Sequence, residues 1–553
     1  MNLQMTRFES LPNEIIIECF RYFHGVDLLL SFDQLNYRFN QLVRAIQRLF
    51  IDFTDANLLK FNKFCAVLSS NPELNDQIYS LELSNRSMCE IHLFLSRFSL
   101  DQFTNLRSLT LIEAQEHDEQ QLQANHSAMS GLFSLKLLDY KKDGISNWIS
   151  TLDILMQTEY NFGVCLQKLT IQDCNHAKFQ QILKKAIHLT YLEINLFTGM
   201  RLSENDLKYP HKNLIKLKIR DLRQTIGDLK IILHFTPRLQ NLSVCQFDCR
   251  EIMDGRQWEQ MINDFLPNLK VFQFNFAYQR SLQNETIYEQ FQSDFWTREH
   301  QWYTECLLYK YFIVIYTIPY LAERYTLLPT MDRYSHRILS NSNMFNRVKH
   351  LEIKTNQIRG NNRFSQVESI VFDEQLTETI INGLPSIIDM NLLKSLIFPR
   401  NCRLKDSLSL STIFAQAPHI SSLSINPGLL IPLLNENKHL CEHLTRMIRK
   451  LDISIYSYDT SSNFYRMNLF WEVFINIKQL ICVVDNSESV GFLFNHLSEL
   501  LRLDISGGKG FTNLNASIIH HVNKVGLKIL AMHTGSISYL ERTVWIIRDT
   551  TNL

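Results

Sequence analysis

The sequence has no excess of charge: its 553 residues carry 56 Lys and Arg against 56 Asp and Glu. A chain so balanced has no overall field to hold it on a phosphate backbone, so nucleic acid is not an expected partner. Glycine and proline are sparse, at 16 and 12 residues, which argues against long flexible linkers. No apolar run approaches the roughly 20 residues that span a bilayer; the longest strongly apolar stretch is Phe312 to Ile318. The opening Met1 to Ser10 is polar and carries Arg7, without the apolar core of a secretory signal. The expectation is a cytoplasmic or nuclear protein with no membrane partner. The eleven cysteines are odd in number and scattered, and the close pair Cys245 and Cys249 has no second pair to complete a zinc site. Reduced thiols inside a core fit this pattern better.

What is abundant is core material, with 45% apolar and 20% charged residues. The chain is too long for one ordinary core and must be several domains or an elongated repeat array. A repeat is present. The pattern apolar-x-x-apolar-x-apolar opens at Ile78, Leu106, Leu132, Leu166, Leu189, Leu214, Leu239 and Leu269, and after a gap at Val348, Val367, Leu393, Ile420, Ile448, Ile477, Leu500 and Leu527. Outside the gap, successive starts fall 19 to 34 residues apart. That spacing resembles the leucine-rich-repeat period. Each triplet reads as a short strand whose alternate side chains point inward, with a helical segment such as Phe179 to Ala186 or Leu229 to Phe235 closing the outer wall. The expected fold is an α/β leucine-rich-repeat solenoid, a horseshoe with a parallel inner sheet, over residues 51–553.

The first fifty residues read differently. Pro12 and Glu14 suit the first turn of a helix beginning near Leu11. Ile15, Ile16, Cys19, Phe20 and Phe23 recur at three- and four-residue spacing, which makes one apolar face. Asp27 is a plausible N-cap for Leu28, Leu29, Leu30 and Phe32, and Leu35, Phe39, Leu42 and Val43 supply a third stripe. Three short helices cannot bury all of this among themselves. Leu11, Pro12, Ile15, Ile16 and Leu28 are left at one end, as on a docking patch.

The string LPNEIIIECFRYFHGVDLLLSFDQLNYRFNQLV, within residues 9–46, resembles the F-box motif in its Leu-Pro-x-Glu opening, central Asp-Leu and Arg-aromatic close. The resemblance implies a small all-α F-box domain over residues 1–50. In that family such helices bind the adaptor of SCF-type ubiquitin ligases, which hangs in turn on a cullin. By position it implies that Leu11, Pro12, Ile15, Cys19, Phe23 and Leu28 face the adaptor. Cys19 stands where the family usually has a larger aliphatic, and Phe39 where many members have Trp. The implied function is that of a non-catalytic substrate receptor for an unidentified target protein. The alternative is an interaction scaffold whose F-box-like cap merely seals the solenoid, its apolar residues buried against Leu58, Phe61 and Phe64. The family's Asn or Cys at the ninth place of each repeat is met only by Cys174, Asn356 and Asn401, so an irregular solenoid is expected.

The gap between the two runs of triplets, about residues 280–340, is aromatic-rich and reads either as an atypical repeat pair packing its own core or as an insertion that contacts the target. Within it, Trp302 to Leu308 and Tyr311 to Ile318 have the character of hairpin strands. Candidate chemistry is thin. Gly507 to Gly510 lacks the spacing and hydroxyl of a phosphate loop. His439, Cys441 and His443 lack a fourth metal ligand. No cofactor, metal site or active site is expected. On the exposed side of the inner sheet, Lys216, Lys218 and Arg220 form a basic spot suited to an acidic or phosphorylated segment of the target. Lys168 and Arg502 add to it elsewhere, with Glu82, Glu193, Glu352, Asp452 and Asp504 as acidic counterparts.

Overall fold

The computed structural model describes residues 8–53, 56, 58–85, 90–114, 118, 121–122, 124–138, 164–198, 210–223, 226–249, 254–280, 287–329, 332–335, 344–355, 358, 362–373, 375–399, 402–404, 407–454, 468–484, 486–507, 513–534 and 541–548. The chain is mixed α/β, with extended parallel sheets and helices between the strands. It divides into two units, the first comprising Met1–Ile219, Gly227–Gln240 and Leu266–Asn268, and the second the remainder.

In the first unit three helices, α1 (Asn13–Phe20), α2 (Gly25–Phe32) and α3 (Tyr37–Arg44), precede strand β1 (Leu49–Asp52) and helix α4 (Leu58–Ser70). Strands β2 (Ile78–Ser84), β3 (Ser108–Ile112), β4 (Ser134–Leu138), β5 (Lys168–Cys174), β6 (Tyr191–Phe197) and β7 (Lys216–Ile219) then add in chain order, all parallel. The central apolar residue of each triplet is in register with the next: Leu81, Leu109, Leu135, Leu169, Leu192 and Leu217 lie side by side. All six are buried. A strand rising through one row of leucines has only one register that keeps them inside, because a one-residue slip turns every one outward. The wall segments fall in helices His176–Lys185 and Ile226–His234.

A second row runs along the leading ends of these strands. Backbone N–H groups of Arg107, Phe133, Gln167, Thr190, Ile215 and Gln240 each donate to the carbonyl of the corresponding residue before the preceding strand, beginning at Tyr79, at 2.8 to 2.9 Å. The ladder extends the parallel pairing past the strands and holds their leading ends side by side.

In the second unit β8 (Asn241–Cys249) and β9 (Val271–Gln279) pair parallel. The aromatic insertion then reverses direction. Strands β10 (Thr304–Leu308) and β11 (Phe312–Thr317) form the expected antiparallel hairpin, with β11 paired to β9. Strand β12 (Arg324–Leu327) leads the next parallel run, and β13 (Asp332–Ser335) pairs antiparallel to β10. The run continues in β14 (His350–Ile353), β15 (Ser369–Phe372), β16 (Ser395–Phe398), β17 (Ser422–Ile425), β18 (Lys450–Asp452), β19 (Gln479–Val484) and β20 (Arg502–Gly507). Leu351, Ile370, Leu396, Leu423, Leu451, Leu480 and Leu503 form its buried row.

The all-parallel expectation fails at the end of this run. Strand β21 (Leu527–Thr534), which carries the last triplet, does not pair with β20. Instead β22 (Glu541–Arg548) lies between them, antiparallel to both. A chain that returns after β21 can satisfy two open edges at once by slotting between them.

The helical module is seated against β1 by α2. An added Cβ at Gly25 would lie 2.5 Å from the Phe50 carbonyl oxygen and 2.8 Å from the Ile51 side chain. Asp27 ion-pairs with Lys60 at 2.6 Å. Substituting Gly25 with Val is therefore expected to lift α2 from β1 at a cost of about 1–3 kcal/mol. Differential scanning calorimetry checks this; an unchanged melting profile refutes the close approach.

Candidate functional site

Helix α1 begins just after Pro12, whose carbonyl accepts from the N–H groups of Ile15 and Ile16 at 3.1 Å. Ile16 and Phe20 turn inward and are buried. Pro12, Ile15 and Cys19 recur at three- and four-residue spacing beside that inward side, and Phe23 follows in the turn after the helix. Pro12 is exposed, Ile15 is 49% exposed, Phe23 is 43% exposed, and Leu11 and Cys19 are half-buried. An aliphatic side chain this open on the helix, with a partly open aromatic one in the turn that follows, leaves an uncovered apolar surface. Tyr22 adds to it, fully outside the core.

Two sequence expectations are corrected here. Leu28 does not share that face. It is 2% exposed, on the side of α2 that turns into the protein. Asp27 is not an N-cap either, because α2 starts at Gly25 and its first turn leaves Asp27 free to reach Lys60. Both errors have one cause. The periodicity of a short helix gives an apolar stripe without saying which neighbour covers it.

The shape of the face depends on Arg38. Its guanidinium donates to the carbonyls of Glu9 and Leu11, and its Nε donates to Asn13 Oδ1 at 2.8 Å. One side chain on α3 thus ties down the backbone leading into Pro12 and the side chain that follows it. Asn36 caps α3 by accepting from Phe39 N–H at 3.0 Å. Beneath, Phe8, Phe20, Phe23, Phe32 and Phe39 form a continuous aromatic cluster with ring centroids 4.8 to 6.4 Å apart. Phe61 and Phe64 are buried against Phe53 at 4.9 and 5.1 Å. They do not cover Pro12 or Ile15, which remain outside. The side chain of Leu58 lies outside the described residues.

The basic spot on the sheet is largely neutralised. Lys218 pairs with Glu193 at 2.8 Å, and Glu193 also accepts from the Tyr191 hydroxyl at 2.6 Å. Lys216 lies over the Tyr191 ring at 5.3 Å. Arg220 pairs with Glu323 at 2.7 Å. Elsewhere Lys168 sits 5.6 Å from the Phe133 ring, Arg502 meets Asp504 at 3.0 Å, and Glu352 meets Lys354 at 3.0 Å. Asp452 accepts from Ser424 and Ser454. These charges lie beside a group of opposite sign, a hydroxyl or a ring, which the linear sequence does not reveal.

The residues with possible chemistry are dispersed. On the helix Lys438–Met447, His439 meets Glu442 at 3.5 Å, His443 meets Arg446 at 3.3 Å, and Cys441 Sγ turns to the Leu434 carbonyl. No three metal-type ligands converge among the described residues. Burial pushes the thiols of Cys65 up to about 11 and of Cys306 and Cys402 up to about 12. An activated thiolate needs the opposite shift. Gly508 to Gly510, Asn356 and Asn401 lie outside the described residues, while Cys174 is buried with its Sγ toward the Asn175 carbonyl.

One buried polar group escaped the sequence reading. Glu305 on β10 is fully buried, accepting from the Tyr316 hydroxyl and ion-paired to Arg333 at 2.9 Å. Buried charge requires such partners. Its signal was a lone acid within the apolar run TECLL. No helix among the described residues is long and apolar enough to cross a membrane. Comparison with protein-family models and with curated proteins finds no match to this chain.

Proposed function

We propose that this chain is the substrate-receptor subunit of an SCF-type ubiquitin ligase, with an F-box module at residues 1–50 and an irregular leucine-rich-repeat solenoid over residues 51–553. It works in the cytoplasm or nucleus. The observation that carries the reading is the uncovered apolar surface of Pro12, Ile15 and the half-buried Cys19 along α1, whose lead-in is fastened by Arg38, with Phe23 exposed in the turn after the helix. A surface this apolar on a rigid seat suits a protein partner, here the adaptor and through it a cullin. The repeats hold the target protein. The chain itself catalyses nothing. It raises the effective concentration of the target near the ubiquitin-charged enzyme.

The rival reading, a scaffold whose helical cap only seals the first repeat, draws on the seat of α2 against β1. Sealing uses α2 and leaves the α1 face unexplained. Co-purification of the full chain with the adaptor separates the two. Wild type is expected to retain the adaptor, and the double change of Leu11 and Pro12 to Ala to lose it. If neither form retains the adaptor, the scaffold reading replaces the ligase one.

A further inference from the structure

Ser10 stands at the junction on which the α1 surface depends. It ends the short helical turn Phe8–Ser10 and is exposed, directly before Leu11 and Pro12. The carbonyls on either side of it, those of Glu9 and Leu11, are the two that the Arg38 guanidinium holds. Any group carried on Ser10 is thus one residue from both contacts. The Glu9 carboxylate does not serve as the counter-charge; it accepts from Asn36 Nδ2 at 3.3 Å. Among the described residues, the acceptors of the half-buried Arg38 are the two carbonyls and Asn13 Oδ1, all neutral. A guanidinium bonded to neutral oxygens alone is a seat that an anion could take. Arg7 precedes Ser10 by three places in the sequence.

We propose that Ser10 is a phosphorylation site for a protein kinase that selects arginine three residues upstream, and that its phosphate draws Arg38 off the Glu9 and Leu11 carbonyls and so undocks the adaptor. The γ-phosphoryl group of ATP passes to Ser10 Oγ, its bond to the departing ADP breaks, and the hydroxyl proton leaves to solvent. The product carries close to two negative charges and three strong acceptor oxygens at neutral pH. A guanidinium grips such a group with two charged hydrogen bonds, which are stronger than its bonds to neutral carbonyls. With Arg38 turned to the phosphate, the lead-in to Pro12 loses its fastening. The dianion also stands beside Leu11 and Pro12, where a covering partner would have to strip its water. Both effects oppose docking on one surface. A basic residue near the acceptor hydroxyl is a charge pattern by which kinases choose substrates, and Arg7 supplies it. The inference deepens the receptor reading by giving it a switch, and it rests on that reading only for the adaptor as the ligand lost.

The test uses the full chain in two forms, unmodified and with phosphoserine introduced at position 10 during synthesis. Hydrogen exchange is first measured without adaptor at the amides of Leu11, Ile15 and Ile16, whose bonds to the Phe8 and Pro12 carbonyls depend on the fastened lead-in. Phosphorylation is expected to speed their exchange several-fold. Unchanged or slower exchange overturns the proposal. Titration with purified adaptor is expected to show at least about tenfold weaker binding by the phosphorylated form, since one charged hydrogen bond is worth about that much. In a third arm, ATP and a purified kinase of the stated selectivity are expected to place phosphate on Ser10 of the wild type, read by mass spectrometry, and little on R7Q. No uptake at Ser10, or undiminished uptake in R7Q, overturns the assignment. If the unmodified chain binds no adaptor, the receptor reading fails, while hydrogen exchange and kinase uptake still decide the switch. If both forms bind adaptor equally, the switch fails and the receptor reading stands.

Discussion

Ile15→Asp is expected to weaken adaptor binding by about a hundredfold or more while leaving the melting temperature nearly unchanged. The side chain stands about half exposed on α1, so the aspartate meets water in the free protein and costs little there. In a complex that covers the face, the same carboxylate replaces an apolar anchor and is buried without a partner. Each loss is of the order of 2 kcal/mol or more. The companion change Leu28→Asp predicts the opposite pattern. Leu28 is sealed inside the module, so a charge there costs several kcal/mol and unfolds α2 from β1 before any partner is involved. Binding isotherms with purified adaptor, paired with calorimetric melts of both variants, check the contrast. If Ile15→Asp binds as wild type does, the α1 face is not the contact.

The second large effect concerns Glu90, at the start of the short helix Glu90–Leu95 and buried. Its Oε2 accepts from Ser84 N–H at 2.8 Å. Burial pushes its carboxyl up to about 9, with Asp52 and Glu82 on the neighbouring strands adding to the shift and the Ser84 hydrogen bond opposing it. The native chain then holds a proton that the unfolded chain releases near the ordinary 4.5. Stability from this group is whole below 4.5 and is lost as pH rises toward about 9, at up to about 1.4 kcal/mol per pH unit. Glu90→Gln keeps the shape and the acceptor but has nothing to ionise. The variant is expected to show a flatter fall in stability over that window, and to be more stable than wild type at its alkaline end. Hydrogen exchange of the β2 and β3 amides as a function of pH reads this locally. Parallel slopes for the two proteins exclude Glu90 as the source.

The parallel rows were the most legible part of the sequence. Every one of the sixteen triplets coincides with a strand, because in a strand the side-chain period of two is itself the pattern that decides which residues are buried. Two more strands follow the same spacing and were passed over. Ile46, Leu49 and Ile51 generate β1, but the stretch adjoins the helical stripe of α3 and reads as its tail. Ala322, Tyr325 and Leu327 generate β12 with a tyrosine where the template expects an aliphatic residue. The buried Tyr309, Tyr316, Tyr320 and Tyr325 show that this region builds its core from aromatics, which a leucine-weighted template does not register. In the opening module the sequence put Pro12, Ile15, Phe23 and Leu28 together, whereas the first three are exposed and Leu28 is buried.

By itself the sequence determined the strands of the sixteen triplets, the apolar residue that each adds to the buried row, the hairpin within the aromatic segment and the helices of the opening module. These follow from local periodicity, in which a residue's neighbours in the chain already dictate its burial. Tertiary structure alone decided which helix of that module lies against the first repeat, which apolar side chains stay outside, and which lysines and arginines find a carboxylate. It also decided that β22 would slot between β20 and β21. Most of these outcomes depend on residues brought together from different strands and helices, and the energy of an ion pair or an apolar contact is set by that geometry and its surroundings, which no spacing along one chain encodes.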